Sequence, residues 1–166
     1  MARRKRRKRR VYAGACFCDI CDFCVRLRRF LREEVKNNLK NMSINEISYH
    51  IRGAVYDVYK ALGPGLLESV YEEALCFELE ERGLKVDRQV QVPIIYKGRA
   101  LKTELRLDLL VEDLVIVELK SVVEMRDVYY KQTLTYCKLF KKRLGLLVNF
   151  NTEDILTSIY RVANGL

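Results

Sequence analysis

The sequence predicts a mixed α/β domain in which helices pack on a sheet. Three observations carry this. Apolar residues recur with helical period after a strong start signal at Ser43. The period then falls to two between residues 89 and 120. Finally, a helical stretch leads into a short, almost wholly apolar run at 144–150.

The elements follow in order. Ser43, Ile44, Asn45 and Glu46 spell a capping box, in which the Ser hydroxyl and the Glu carboxylate satisfy exposed backbone donors. Ile47, Ile51, Ala54, Val55, Val58 and Leu62 form the buried stripe of the helix that follows. Gly63-Pro64-Gly65 stops it. A second helix is predicted from about 66 to 82, with Gly83 ending it. Residues 89–96 alternate through Val90, Val92 and Ile94 as a strand, and Pro93 marks it as an edge strand. Lys97-Gly98 is a turn. Residues 101–111 form a second strand, with Leu105, Leu107, Leu109 and Val111 on one face. Residues 114–120 form a third, with Val115, Val117 and Leu119 on the matching face. Short turns make the three an antiparallel meander. A helix is predicted over 127–142 and a strand buried on both faces over 144–150. Residues 155–162 fit strand and helix equally.

With 166 residues, 49% apolar and 32% charged, the chain suits one folded domain. No apolar run approaches the ~18–20 residues of a membrane-spanning helix. The net charge of +9 is unevenly placed. Residues 1–41 hold 14 Lys+Arg and 4 Asp+Glu, whereas residues 42–166 hold 17 and 18. Eight of the positive charges fill residues 3–10, a self-repelling block suited to phosphates, anionic lipid, a nuclear address or plain solvation. Residues 11–17 are too short and cysteine-interrupted for a secretory signal, so the expected location is cytoplasmic. Cys16, Cys18, Cys21 and Cys24 offer four thiolates for zinc or an iron–sulfur cluster, at an unusual spacing. Residues 25–42 then read as a helix, either a basic amphipathic one for a membrane or a partner or, as is more often the case, one packed on its own domain. The chain therefore divides into an N-terminal extension, 1–41, and a domain, 42–166.

The chemistry points to the second hairpin. If its turn centres on Asp113, opposed residues sum to 226, so Asp108 faces Glu118 and Leu110 faces Ile116. Glu118 and Lys120 share a face through the period of two. Carboxylates so placed raise a pKa or take up a cation, and all-oxygen ligands favour Mg²⁺ or Mn²⁺. A surface ion-pair network with Lys120 neutralising both acids is the competing explanation. Other machinery is thin. His50 is the only histidine and lies in a helix, and Cys76 and Cys137 sit at helical core positions.

Asp108, nine residues, then Glu118-Leu119-Lys120 resembles the D…E-x-K signature of the PD-(D/E)XK nuclease superfamily. The usual Pro before the Asp is replaced by Leu107. Gly65, Glu68 and Tyr71 read G-x-x-E-x-x-Y. With Gly63-Pro64 before them and Asn164-Gly165-Leu166 after, they resemble the bacterial and archaeal GxxExxY protein family. The resemblance covers about 43–166 and implies a restriction-endonuclease-like αβββαβ core. It implies Mg²⁺ or Mn²⁺ on Glu68, Asp108, Glu118 and the Leu119 carbonyl. Lys120 would orient or help deprotonate the attacking water, and Gln132, in a Q-x-x-x-Y with Tyr136, would touch substrate or order the site. The expected activity is phosphodiester hydrolysis, in DNA more readily than RNA, with a homo-oligomer compatible. Two alternatives stand beside it: a non-catalytic nucleic-acid-binding or regulatory module on this fold, and a Cys-cluster metal protein. Lys131, Lys138, Lys141, Lys142 and Arg143 offer one local basic patch. Under this resemblance residues 1–41 are a lineage-specific extension or the product of an upstream start codon.

Overall fold

Ser43 and Glu46 form the expected capping box: Ser43 Oγ accepts the Glu46 N–H at 3.3 Å, and Glu46 Oε2 accepts the Ser43 N–H at 2.7 Å. They open α1, Ile44–Leu62, in a computed structural model that describes residues 42–165. The arginine block, the four cysteines and the helix expected over 25–42 lie outside the described residues. Ile47, Ile51, Ala54, Val55 and Val58 are buried as their spacing requires, while Leu62 is exposed at the helix end.

Gly63 (φ 69°) and Gly65 (φ 94°) take the left-handed backbone that glycine adopts without steric cost. Tyr71 holds the turn they make. Its Oη donates to the Gly63 carbonyl at 2.6 Å and accepts the Leu66 N–H at 3.1 Å. Its ring stacks on Phe150 with centroids 4.1 Å apart. The second helix, α2, is Glu68–Glu81, two residues later at its start than the periodicity placed it. Gly83 (φ 83°) ends it, with the Leu84 N–H returning to the Leu79 carbonyl at 3.0 Å.

Five strands follow among the described residues: β1 Val86–Tyr96, β2 Arg99–Val111, β3 Val115–Lys120, β4 Leu144–Asn149 and β5 Ile159–Ala163. They lie in chain order across one sheet. Only β3 and β4 run parallel, and α3, Asp127–Leu139, makes the crossover between them. The β1–β2–β3 meander, the edge position of Pro93 and the doubly buried β4 match the sequence reading. The ambiguous end resolves into a 3-10 turn, Ile155–Ser158, followed by β5. The α3 helix stops at Leu139 rather than 142, because Phe140 caps it and Lys141 turns to φ 54°.

Two cores flank the sheet. The larger joins α1 and α2 to Leu109, Val111, Val115, Val117, Leu119, Leu144, Leu146 and Val148. The smaller joins Tyr136 and Cys137 of α3 to Leu107, Leu110 and Ile116. Gly145 permits the close approach of α3: a Cβ there would lie 2.7 Å from Thr133 Cγ2 and 2.9 Å from Cys137 Sγ. The fold is a mixed sheet flanked by helices, the restriction-endonuclease-like arrangement.

One expectation needs correction. Leu105, Leu107, Leu109 and Val111 do not share a face. Leu109 and Val111 join the α1–α2 core, whereas Leu107 and Leu105 pack with the α3 core. Its partner strand switches in step, Val86 lying against the larger core and Val90 against the smaller. The switch falls where the paired register passes from Arg88↔Leu109 to Val90↔Leu107, skipping Gln89 and Asp108. Gln89 has φ 48°, a left-handed backbone that turns the alternation over. A period of two read from sequence assumes no such kink.

Candidate active site

The second hairpin pairs Leu109↔Val117, Leu110↔Ile116 and Val111↔Val115, the expected sum of 226. The turn rests on Glu112 and Asp113, at φ 51° and 54°. That register carries Asp108 to the level of Glu118. Beyond Leu109 the contact passes to a side chain: Asp108 Oδ2 accepts the Leu119 N–H at 2.8 Å. Asp108 is thereby fixed beside the E-x-K segment.

Glu118 lies on the central strand β3 and is 2% exposed. Its Oε1 accepts from Lys120 Nζ at 2.7 Å. Its Oε2 is buried with no hydrogen-bond partner. An uncompensated carboxylate oxygen in a dry site is costly. Burial, then the neighbouring Asp108 charge, pushes the Glu118 carboxyl from 4.5 up to about 7, against the pull of Lys120. Burial also raises the Asp108 carboxyl, with the Leu119 N–H and Lys120 opposing. Burial pulls the Lys120 ammonium down, but the charges of Glu118, Asp108 and Glu68 outweigh it and hold the group above the ordinary lysine value. The ammonium also sits 5.7 Å from the centre of the Tyr129 ring, a cation–π contact from α3.

Glu68 is exposed at the start of α2. Its Oε1 accepts the Ser121 N–H at 3.0 Å, and Ser121 Oγ donates to the Leu66 carbonyl at 2.7 Å. The G-x-x-E-x-x-Y segment thus grips the residue after Lys120. Glu68 is close enough to raise the Glu118 carboxyl through its charge. Gln132 Nε2 donates to Tyr136 Oη at 2.9 Å. Tyr136 is buried in the smaller core, and its hydroxyl is raised by burial and then by the Glu118 and Asp108 charges. Gln132 therefore bonds a tyrosine that feels the carboxylate charges, not the carboxylates themselves. Lys142, expected in a basic patch, is committed to Asp113, 2.7 Å from Oδ1. His50 is half-buried in α1, and Cys76 and Cys137 are buried core thiols.

Three residues escaped the sequence reading. Glu72 is buried, with Arg88 Nε at 2.9 Å from one oxygen and Gln89 Nε2 at 2.5 Å from the other. Its charge also reaches Asp108. Its spacing four from Glu68 was the available signal, since such residues share a helix face. Asn149 is the one strongly polar side chain in the 144–150 run. It ties the post-β3 loop to β4: its Oδ1 accepts the Val122 N–H at 3.0 Å, and its Nδ2 donates to the Val122 carbonyl at 2.8 Å. Ser121 had no signal beyond its place after Lys120.

The donors near Glu118 are all oxygens, and Glu118 Oε2 is free to accept a partner. This fits a hard divalent cation. Among the described residues no three Asp, Glu, His or Cys side chains gather tightly enough to form a metal cluster by themselves. One oxygen each of Asp108, Glu118 and Glu68 is held by an N–H or ammonium donor instead.

The sequence model of the PD-(D/E)XK nuclease superfamily matches residues 45–162, most of the chain. The chain belongs to that superfamily. Nucleases of this superfamily generally use divalent metals such as Mg²⁺ and act on nucleic acid. A solved structure titled "Crystal structure of SSO0001" is similar at 17% identity and a TM-score of 0.48, covering 84% of this chain and 78% of that one. No curated protein matches the chain. Among the described residues, no helix is long and apolar enough to cross a membrane.

Proposed function

We propose that this protein is a divalent-cation-dependent phosphodiesterase cutting nucleic acid, DNA in preference to RNA. Within the superfamily we assign it to the GxxExxY proteins, supported by the way Tyr71 and Glu68 lock the Gly63-Gly65 turn to the segment after Lys120. The observation that carries the enzymatic reading is Glu118: a nearly inaccessible carboxylate with one oxygen on Lys120 and the other unpartnered, next to a second acid. Desolvated, pKa-shifted groups gathered this way are a mark of catalytic sites.

Asp108, Glu118 and the Leu119 carbonyl would hold Mg²⁺ or Mn²⁺, with Glu68 at the margin. A bound divalent ion supplies acidified water and an offset to phosphate charge. The Leu119 N–H fixes the Asp108 carboxylate. Lys120, kept as an ammonium, donates and stabilises developing negative charge rather than taking a proton. Gln132 steadies Tyr136, which closes the site from the α3 side.

The test is cleavage of single- and double-stranded DNA and of RNA with Mg²⁺ or Mn²⁺, comparing wild type with Glu118→Ala and Lys120→Ala. Cleavage lost in both variants, with Mn²⁺ binding lost in Glu118→Ala, supports the assignment. Cleavage indifferent to both changes ends it. Binding of nucleic acid without any turnover would make the protein a non-catalytic module on the same fold.

A further inference from the structure

The first hairpin outgrows its sheet. The β3 strand pairs with β2 only over Leu109, Leu110 and Val111, so β2 from Arg99 to Leu107 has β1 as its one strand partner. Residues 90–96 alone extend this ribbon about 23 Å at about 3.3 Å per residue. One side of it, Val90, Leu105 and Leu107, packs toward the α3 core. On the other side Arg106, paired with Gln91, is exposed, and Lys102 is exposed in the stretch where the register shifts between Pro93 and Ile95. Lys97 and Gly98 (φ 49° and 77°) form the two-residue turn, and Arg99 follows it. The tip leaves Ile95 70% and Tyr96 62% exposed, with Lys97 Nζ 5.6 Å from the centre of the Tyr96 ring.

Charge is concentrated here. Residues 90–107 hold four Lys+Arg and one Glu, whereas the rest of residues 42–166 holds 13 and 17. A bare two-stranded ribbon with exposed apolar side chains is marginal in water. Here those side chains sit among cations rather than under a cover. A two-stranded ribbon fits the major groove of B-form DNA, about 12 Å wide.

We propose that the β1–β2 ribbon is a duplex-DNA-gripping arm. It rests on the nucleic-acid reading of the site and deepens it by naming the substrate form. Arg99, Lys102 and Arg106 contact phosphates along the groove, and Tyr96 and Ile95 press on the bases at its floor. The arm joins the domain at the kink beside Asp108, so a duplex held along it passes by the carboxylates.

The experiment measures binding of the full chain to a fluorescein-labelled duplex DNA in EDTA, across a salt series. EDTA keeps the reading independent of turnover, and the basic N-terminus is common to every variant. Arg99→Ala/Lys102→Ala/Arg106→Ala should weaken binding at least about tenfold and make the log–log salt slope shallower by about 2–3, near 0.9 per lost phosphate contact. Tyr96→Ala should weaken binding with the slope unchanged. Lys138→Ala/Lys141→Ala/Arg143→Ala, an equal loss of exposed charge elsewhere, should change little. Equal losses from both triple variants or an unchanged arm variant would overturn the arm. Thermal unfolding confirms that the variants fold. If wild type cuts DNA but the arm variant binds normally, the arm falls and the nuclease stands. If binding depends on the arm but nothing is cut, the reverse holds.

Discussion

Strand β3 has two faces, and they do opposite things with the same six residues. Val115, Val117 and Leu119 are at most 1% exposed and belong to the large core under α1 and α2. Ile116, Glu118 and Lys120 turn the other way, where only Ile116 joins the smaller core. One face lowers the free energy of the fold by apolar burial. The other holds a carboxylate whose burial opposes folding unless something compensates it. Along its whole length β3 pairs with β4, and beyond Val117 the Asp108 carboxylate takes over from β2 by holding the Leu119 N–H, so the costly face is carried on fixed backbone. That is a physical reason for the reactive groups to sit on the central strand rather than on a loop.

The sharpest way to separate the faces is to change one residue on each. Lys120→Ala should cut turnover by about 10²–10⁴-fold, the range for losing a positioned acid–base or charge-stabilising group. Leu109→Ala should cost about 2–5 kcal/mol of stability, as for other buried leucines, yet leave turnover per folded molecule near wild type. Urea unfolding and single-turnover cleavage report the two quantities. If Leu109→Ala lost catalysis in proportion to Lys120→Ala, the division of labour would be wrong.

A pH series sharpens it further. Burial raises the Glu118 carboxyl from 4.5 to about 7, so the folded protein keeps this proton to higher pH than the unfolded chain. Below about 4.5 both states are protonated and the group costs nothing. Between 4.5 and 7 the unfolded state releases its proton first, and stability falls as pH rises. Above about 7 the full difference applies, about 3 kcal/mol for such a shift. The stability of wild type relative to Glu118→Gln should therefore decline by that order from pH 4 to pH 8 without divalent cation. Adding Mg²⁺ should restore part of the loss in wild type alone. A difference flat with pH would show that Glu118 titrates normally.

How legible the molecule was in its sequence depended on where local rules are undisturbed. The α1 stripe, its capping box, the meander, the 226 register and the buried β4 all followed from period and turn chemistry. Asp108, Glu118 and Lys120 were placed together by the same arithmetic, because their hairpin is short and regular. The failures cluster where a tertiary contact overrides a period. Leu105 and Leu107 were put on the wrong face because nothing local announces a left-handed Gln89. Glu72 gave no local signal because its partners, Arg88 and Gln89, lie 16 and 17 residues on. Glu68 was recognised by motif, but its anchor, the Ser121 N–H, is 53 residues away.

The smallest expected effect tests the kink that brings these regions together. Regular alternation would point Arg88 and Gln89 to opposite faces. At φ 48° Gln89 instead reaches the same carboxylate as Arg88, and both end on Glu72 of α2. A non-glycine residue in the left-handed region costs about 1 kcal/mol, and a hydrogen bond to a charged group returns about 1.5–3. Gln89→Ala keeps the strain and loses the bond, so it should destabilise by about 1.5–3 kcal/mol. Gln89→Gly loses the bond but also the strain, so it should stand about 1 kcal/mol above Gln89→Ala. Urea unfolding at neutral pH resolves that gap. Asp108 occupies the skipped position opposite Gln89, so the same pair should separate in amide exchange at Leu119, whose N–H rests on Asp108. Gln89→Gly frees the backbone to wander and should expose that amide faster than Gln89→Ala, despite being the more stable protein. Equal stability of the two variants would mean that the left-handed backbone carries no strain, and that the alternation turns over for a reason other than the Glu72 anchor.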